Sequence, residues 1–290
     1  MLCAIEQEAP NLSGVFCDTG NEHSAVYEYL EYFQQTTGIK IKTLRQDFTD
    51  WWWRRLAYVR DKWPEKGVDD AVIQAVLKVF EKGPTGNPFL DLCIIKGRFP
   101  SRRAQFCTQY LKSEPATEYA MELIDQFGSV VSWQGVRAEE SPSRAKLPER
   151  EDKGGGYSIY RPIHKWTAEQ VFAMHAKHGI KPNPLYMLGM GRVGCMPCIN
   201  ANKNDILEIS KRFPEQIERI NEWENAVSLA SKRSNATFFP APGENETARE
   251  RGNIYQVVQW SQTKRGGKLL DMFRRGDAVL ACSSAYGLCE

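Results

Sequence analysis

Apolar and polar positions alternate along this chain with the periods of short strands and amphipathic helices. Leu12 to Cys17 (Leu-Ser-Gly-Val-Phe-Cys) is mostly apolar and stops at the turn-rich Asp18-Thr19-Gly20, which predicts a buried strand. Asn21 is placed to cap a helix with Glu22 in its first turn, and Val26, Tyr29, Leu30 and Phe33 share one helical face until Gly38. Ile39 to Leu44 alternates and predicts a second strand. Strand, helix and strand within about thirty residues point to a parallel α/β sheet. Ligands in such sheets sit at the carboxyl ends of strands, so Asp18, Thr19 and Gly20 fall on the functional rim.

Further along, Trp51-Trp52-Trp53 is expected in the core or against a partner, since aromatic clusters mostly pack. Val68 to Phe80 has helical spacing, and residues 82–88 form a Gly/Pro loop. Val130 to Val136 is a further buried strand, followed by a charged, glycine-containing stretch from Ala138 to Tyr157 that is expected to be a mobile loop. Thr167-Ala168-Glu169-Gln170 is a capping-box pattern that opens a helix to about His178, and Pro182 and Pro184 forbid its continuation. Ile206 to Ser234 is helical with a break at Pro214, and Tyr255 to Trp260 is expected as a late strand. The division this suggests is an α/β domain over 1–203 and a helical C-terminal region over 204–290 with a cysteine-bearing tail.

Composition narrows the class. A length of 290 residues suits one large or two modest domains. Lys and Arg number 38 against 36 Asp and Glu, a net charge of +2, which is too balanced to make DNA or tRNA an obligate partner. No stretch approaches the roughly 20 apolar residues of a spanning helix, so no membrane role is expected. The start lacks a basic region followed by an apolar stretch, and a cytoplasmic location follows as an expectation. Eight cysteines are too few for a disulfide scaffold and are expected as thiols or metal ligands.

Gly194-Cys195-Met196-Pro197-Cys198 is the sharpest signal, because two thiolates two residues apart can bind one metal or cluster from a single turn. A redox dithiol and a structural zinc are the rival readings. Cys107 lies in a basic, polar stretch, Arg102 to Lys112, a setting that favours a stabilised thiolate. Cys3, Cys17 and Cys93 have apolar neighbours and are expected as small buried hydrophobes. Cys282 and Cys289 end the chain, where a thiol could serve as a further ligand or a nucleophile. Arg137, after the strand at 130–136, and Arg144 are candidate anion ligands through their bidentate guanidinium groups. His175 and His178 have helical spacing but no third ligand nearby, and packing roles are expected for them.

An ordered set of segments resembles the phosphoadenosine phosphosulfate reductase family of the adenine nucleotide alpha hydrolase superfamily. The set comprises Val15 to Glu22, Arg103 to Pro115, Trp133 to Ser141, Tyr160 to Ile163 and Gly191 to Cys198. The resemblance implies a doubly wound, mostly parallel, Rossmann-like sheet that binds an adenine nucleotide and performs sulfur chemistry, either reducing a sulfonucleotide or transferring sulfur. A thiol reductant protein is the partner it implies. By the same resemblance Asp18, Thr19 and Gly20 would border the nucleotide and Arg137, with Arg144, would hold its anionic group.

In cluster-bearing members a cysteine pair near Cys107 and a later Cys-x-x-Cys hold a four-iron, four-sulfur cluster. Cys107, Cys195 and Cys198 match three of those ligands, zinc being the alternative metal. Thr108 stands where such members have an adjacent cysteine, so the resemblance implies a fourth iron that is either open or ligated by Cys282 or Cys289, with Cys289 as the candidate nucleophile. Superfamily members carry a Ser-Gly-Gly-Lys-Asp-Ser-like pyrophosphate loop ahead of the Asp-Thr-Gly segment. This sequence starts after that point, so an N-terminally truncated version of the fold is expected; a non-catalytic nucleotide- or partner-binding module is the alternative function.

Overall fold

The computed structural model of the chain describes residues 1–240, 253–264 and 269–270. Helix α1 (Leu2–Glu6) is followed by β1 (Gly14–Asp18), α2 (Ser24–Thr37) and β2 (Ile41–Arg45). β1 and β2 are parallel, with Asp18 opposite Arg45 at their carboxyl ends, so the strand-helix-strand unit expected from the pattern is present. Helix α2 starts later than the sequence suggests. His23 is its cap, with Nδ1 accepting the Ala25 amide at 3.1 Å, whereas Asn21 is fully buried and turned elsewhere.

Helices α3 (Thr49–Lys62), α4 (Asp70–Glu81) and α5 (Pro88–Lys96) come next. The three tryptophans opening α3 divide by helical geometry: Trp52 is buried and donates Nε1–H to the Phe80 carbonyl, Trp51 is half-buried and Trp53 is exposed. Helix α6 (Phe106–Thr108), a π-helical turn (Gln109–Ser113) and α7 (Glu114–Phe127) continue one another, their junction residues keeping helical backbone angles. A π turn adds a residue to the circuit and turns the following side chains, a device common at functional sites.

Strand β3 (Val130–Trp133) pairs in parallel with β5 (Tyr157–Tyr160), and β4 (Arg150–Gly154) runs antiparallel on the other side of β5. Val131 is 51% exposed, so β3 is half-buried where a buried strand was expected. Residues 138–157, expected as a mobile loop, instead hold a 3₁₀ turn (Ala138–Glu140), helix α8 (Pro142–Ala145) and β4. The reason is local: Ser141 caps α8 by accepting the Arg144 amide, and Gly154, Gly155 and Gly156 take positive φ to turn β4 into β5.

The chain is thus a mixed α/β protein with parallel strand pairs, the class expected from the sequence. Among the described residues its parallel strands lie in two sheets, β1-β2 and β3-β5-β4, and α7 packs against β1, β2 and β3.

Thr167 and Gln170 form the predicted capping box at the start of α9 (Ala168–Lys177), which His178 closes. α10 (Lys203–Arg212) and α11 (Pro214–Leu229) are separated at Pro214, also as expected. The strand expected at 255–260 is a correction: α12 (Ile254–Ser261) is a helix. Asn253 caps it, and Ile254, Val257 and Ser261 recur at helical spacing on its buried side. Two short antiparallel strands, β6 (Thr263–Lys264) and β7 (Leu269–Leu270), follow. No helix among the described residues is long and apolar enough to cross a membrane.

One cluster of buried side chains joins α3, α4 and α5 to α10, α11 and α12. It includes Trp52, Val59, Phe80, Phe89 and Leu92 with Ile206, Ile220, Val227 and Ile254. The helices after residue 203 therefore close the same core that supports the loops at the carboxyl end of β1.

Candidate functional site

β1 ends in Asp18, and the next four residues form a tightly bonded loop. The Asp18 carboxylate accepts the Gly20 amide at 2.9 Å and the Tyr27 hydroxyl at 2.8 Å, and is ion-paired with Arg45 across the strand pair. Thr19 Oγ1 donates to the Glu22 carboxylate at 2.8 Å, which also accepts the Thr19 and Asn21 amides. Gly20 has φ +77, and a Cβ there would stand 2.9 Å from the Asn87 side chain, which donates to the Gly20 carbonyl. Only glycine meets both demands.

The Cys-x-x-Cys turn lies directly against this loop. Glu22 and Cys195 form an isolated antiparallel bridge, the Met196 amide donates to the Asn21 carbonyl at 2.8 Å, and Asn21 Nδ2 donates to the Pro197 carbonyl at 3.0 Å. Cys195 Sγ is 3.5 Å from Thr19 Oγ1, 3.5 Å from Glu22 Oε1 and 3.7 Å from Lys112 Nζ. Lys112 comes from the π turn after Cys107, which packs on β1; its carbonyl accepts the Cys17 thiol at 3.6 Å.

Lys112 is the common neighbour of the three predicted ligands. Burial disfavours its charge, yet the attraction of Cys195, Glu22, Cys198 and Cys107 outweighs that and holds its pKa above the ordinary lysine value. Burial pushes the Cys195 thiol up to about 11, Glu22 adds to the rise and Lys112 opposes it. Cys107 is likewise pushed up, first by burial and then by Cys198, with Lys112 again opposing. In the metal-free chain Cys195 and Cys107 are therefore protonated at neutral pH, and a metal that takes them as ligands must displace their protons.

The structure thus brings Cys107, Cys195 and Cys198 into one electrostatic neighbourhood beside Asp18, Thr19 and Gly20. No three His, Cys, Asp or Glu side chains among the described residues converge where a single metal ion could sit. A four-iron cluster differs in kind, because each thiolate binds a separate iron of a larger body. Cys107, Cys195 and Cys198 are each half-buried, come from two separate segments and share Lys112 as a neighbouring cation.

Arg137 and Arg144 stand apart. Arg137 is ion-paired with Glu139 and Glu140, and Arg144 with Glu140, all within the turn and helix after β3. Arg137 lies three residues past the end of β3 with its side chain only 12% exposed. To hold an anion, each must exchange a carboxylate partner for it. Cys282 and Cys289 lie outside the described residues. Cys3 and Cys93 are buried as expected, but Cys17 is only half-buried and adjoins the site. His175 lies on α9 and His178 at its C-terminal end, with His178 Nε2 3.1 Å from Glu6.

Four participants were not assigned roles from sequence. Glu22 was taken only as a first-turn helix residue and Asn21 as a cap. Lys112 was legible as part of the basic stretch around Cys107, but only the π turn shows that it faces the thiols. Arg219, on α11, donates to Asn21 Oδ1 at 2.9 Å and to the Met196 carbonyl at 2.6 Å, and no sequence signal points to it.

The family model described as "Phosphoadenosine phosphosulfate reductase domain" matches residues 1–201. The chain belongs to that family. It is 41% identical, over its whole length and 92% of the other protein, to an uncharacterized 37.8 kDa protein in the gpa 5′ region of Escherichia phage 186. An adenosine 5′-phosphosulfate reductase of Allochromatium vinosum is 36% identical over 35% of this chain, a stretch that spans 37% of that enzyme. A phosphoadenosine 5′-phosphosulfate reductase of Baumannia cicadellinicola is 24% identical over 66% of this chain and 61% of that enzyme.

Proposed function

We propose that this family member is an enzyme of sulfur chemistry that acts on a sulfonucleotide, with Cys107, Cys195 and Cys198 as three ligands of a four-iron, four-sulfur cluster. The observation that carries the reading is Cys195 Sγ standing 3.7 Å from Lys112 Nζ, directly against the loop at the carboxyl end of β1, with Cys107 and Cys198 near enough to add to the attraction that Lys112 feels. Family membership supports the substrate class, and the position of the loop supports the place where the nucleotide binds.

Each of the chain's own groups has a task in this reading. The loop Asp18-Thr19-Gly20 borders the nucleotide and is kept rigid by Glu22, Tyr27 and Asn87. Lys112 supplies the positive charge that keeps buried thiolates tolerable. Arg137 exchanges Glu139 for the substrate's anionic group, and Cys289 remains the candidate nucleophile. The cluster, when bound, supplies a charged, polarisable body beside the substrate's sulfur group, with reduction or sulfur transfer as its chemistry.

Titration of anaerobically purified protein with adenosine 5′-phosphosulfate, and with its 3′-phosphorylated form, tests the substrate class. Saturable binding of one of them is expected, weakened about tenfold by Arg137→Ala through loss of a charge-assisted contact. Absence of binding to iron-loaded protein, or a protein carrying one zinc and no iron, contradicts the reading.

A further inference from the structure

Residues after 201 lie beyond the stretch matched by the family model, yet one of them reaches the site. Arg219 projects from α11 between the two segments that make it. One guanidinium nitrogen donates at once to the side-chain carbonyl of Asn21, in the loop after β1, and to the backbone carbonyl of Met196, between the two cysteines of the turn. The guanidinium is held from behind by the Trp223 ring, 4.9 Å from its centroid and one turn further along α11. Its Nε is buried without a hydrogen-bond partner among the described residues, so the group is desolvated to make these two contacts.

The other anchors of this turn to the loop are the Met196 amide on the Asn21 carbonyl, Asn21 Nδ2 on the Pro197 carbonyl, the Glu22–Cys195 bridge and the contacts of Cys195 Sγ with Thr19 and Glu22. Asn21 is fully buried and makes both of the hydrogen bonds to the Met196–Pro197 backbone. Arg219 therefore fixes both the loop residue and the turn that it holds.

We propose that Arg219 is a positioning residue, supplied by the helical extension, that clamps the Cys195–Cys198 turn onto the loop after β1 and so sets where Cys195 stands relative to Thr19, Glu22 and Lys112. The extension is then a component of the site rather than an appendage. The consequence for cluster retention rests on the proposed function; the clamp itself does not.

The experiment compares Arg219→Ala, Arg219→Lys and Val227→Ala, the last removing a fully buried contact of the same helix away from the turn. Amide hydrogen exchange of residues 193–200 is measured in metal-free protein, below each variant's melting transition, and iron per chain after anaerobic reconstitution is measured alongside. Arg219→Ala is expected to speed exchange at the Met196 amide about tenfold, the cost of losing a charged hydrogen bond, and to lower iron occupancy. Val227→Ala is expected to leave exchange in this segment unchanged, and Arg219→Lys to recover part of the protection. Unchanged exchange in Arg219→Ala, or equal acceleration in Val227→Ala, overturns the clamp. Should Arg219→Ala fail to fold, Arg219→Lys decides, since exchange equal to the unmodified chain overturns it as well. A protein that takes up no iron contradicts the proposed function while the exchange comparison still decides the role of Arg219.

Discussion

At the residue scale the site is a balance between burial, which keeps thiols protonated, and one buried ammonium that opposes it. Cys195 carries the clearest consequence. With its pKa pushed up to about 11, its alkylation in metal-free protein should be slow at pH 8 and rise steeply toward that value. Lys112→Met removes the opposing charge, so the thiolate becomes rarer at any given pH and the titration moves further upward. A Cys195 alkylation profile centred near the free-thiol value of about 8.5 contradicts this picture. The sequence showed the thiols and the basic stretch around Cys107, because residue types and spacing are written in it. It did not show which cation meets the sulfurs, since a π turn of five residues decides that orientation. Nor could it show that Arg137 and Arg144 would be engaged by Glu139 and Glu140, acidic neighbours only two to four residues away.

At the scale of elements the loop after β1 depends on a conformation only glycine adopts without strain. Gly20→Ala places a methyl 2.9 Å from Asn87 at φ +77, and is expected to destabilise the protein by about 1–3 kcal/mol, measured by denaturant unfolding. A change within a few tenths of a kcal/mol contradicts the tight packing of Asn87 on the loop. Elements whose signal is local were legible: β1, β2, the capping box of α9 and the break at Pro214 all lie where pattern and chemistry put them. The failures share a cause. α12 has a β-branched pair in a short segment, and its helical period appears only against the core it packs on. Residues 138–157 are polar, and their order comes from a cap and from pairing with β5, neither of which hydrophobic periodicity records.

At the scale of the whole molecule, the core shared by α3–α5 and α10–α12 makes the site a product of both halves of the chain. Ile220 is fully buried on α11, and Ile220→Ala should cost about 2–5 kcal/mol, seen as a downward shift of the main melting transition. Loss of a separate minor transition instead would contradict a common core. Packing across residue 203 joins segments far apart in the chain, and such long-range packing is not encoded in local period. The central claim is that thiols from two distant segments meet as ligands of one cluster. Iron and acid-labile sulfide per chain, measured with the visible spectrum after anaerobic purification, test it most directly in the unmodified protein and in Cys107→Ala, Cys195→Ala and Cys198→Ala. The account predicts about four irons with a broad band near ~400 nm, and loss of both in each variant. An iron-free protein, or a Cys107→Ala variant that keeps the full iron content and spectrum, would contradict it.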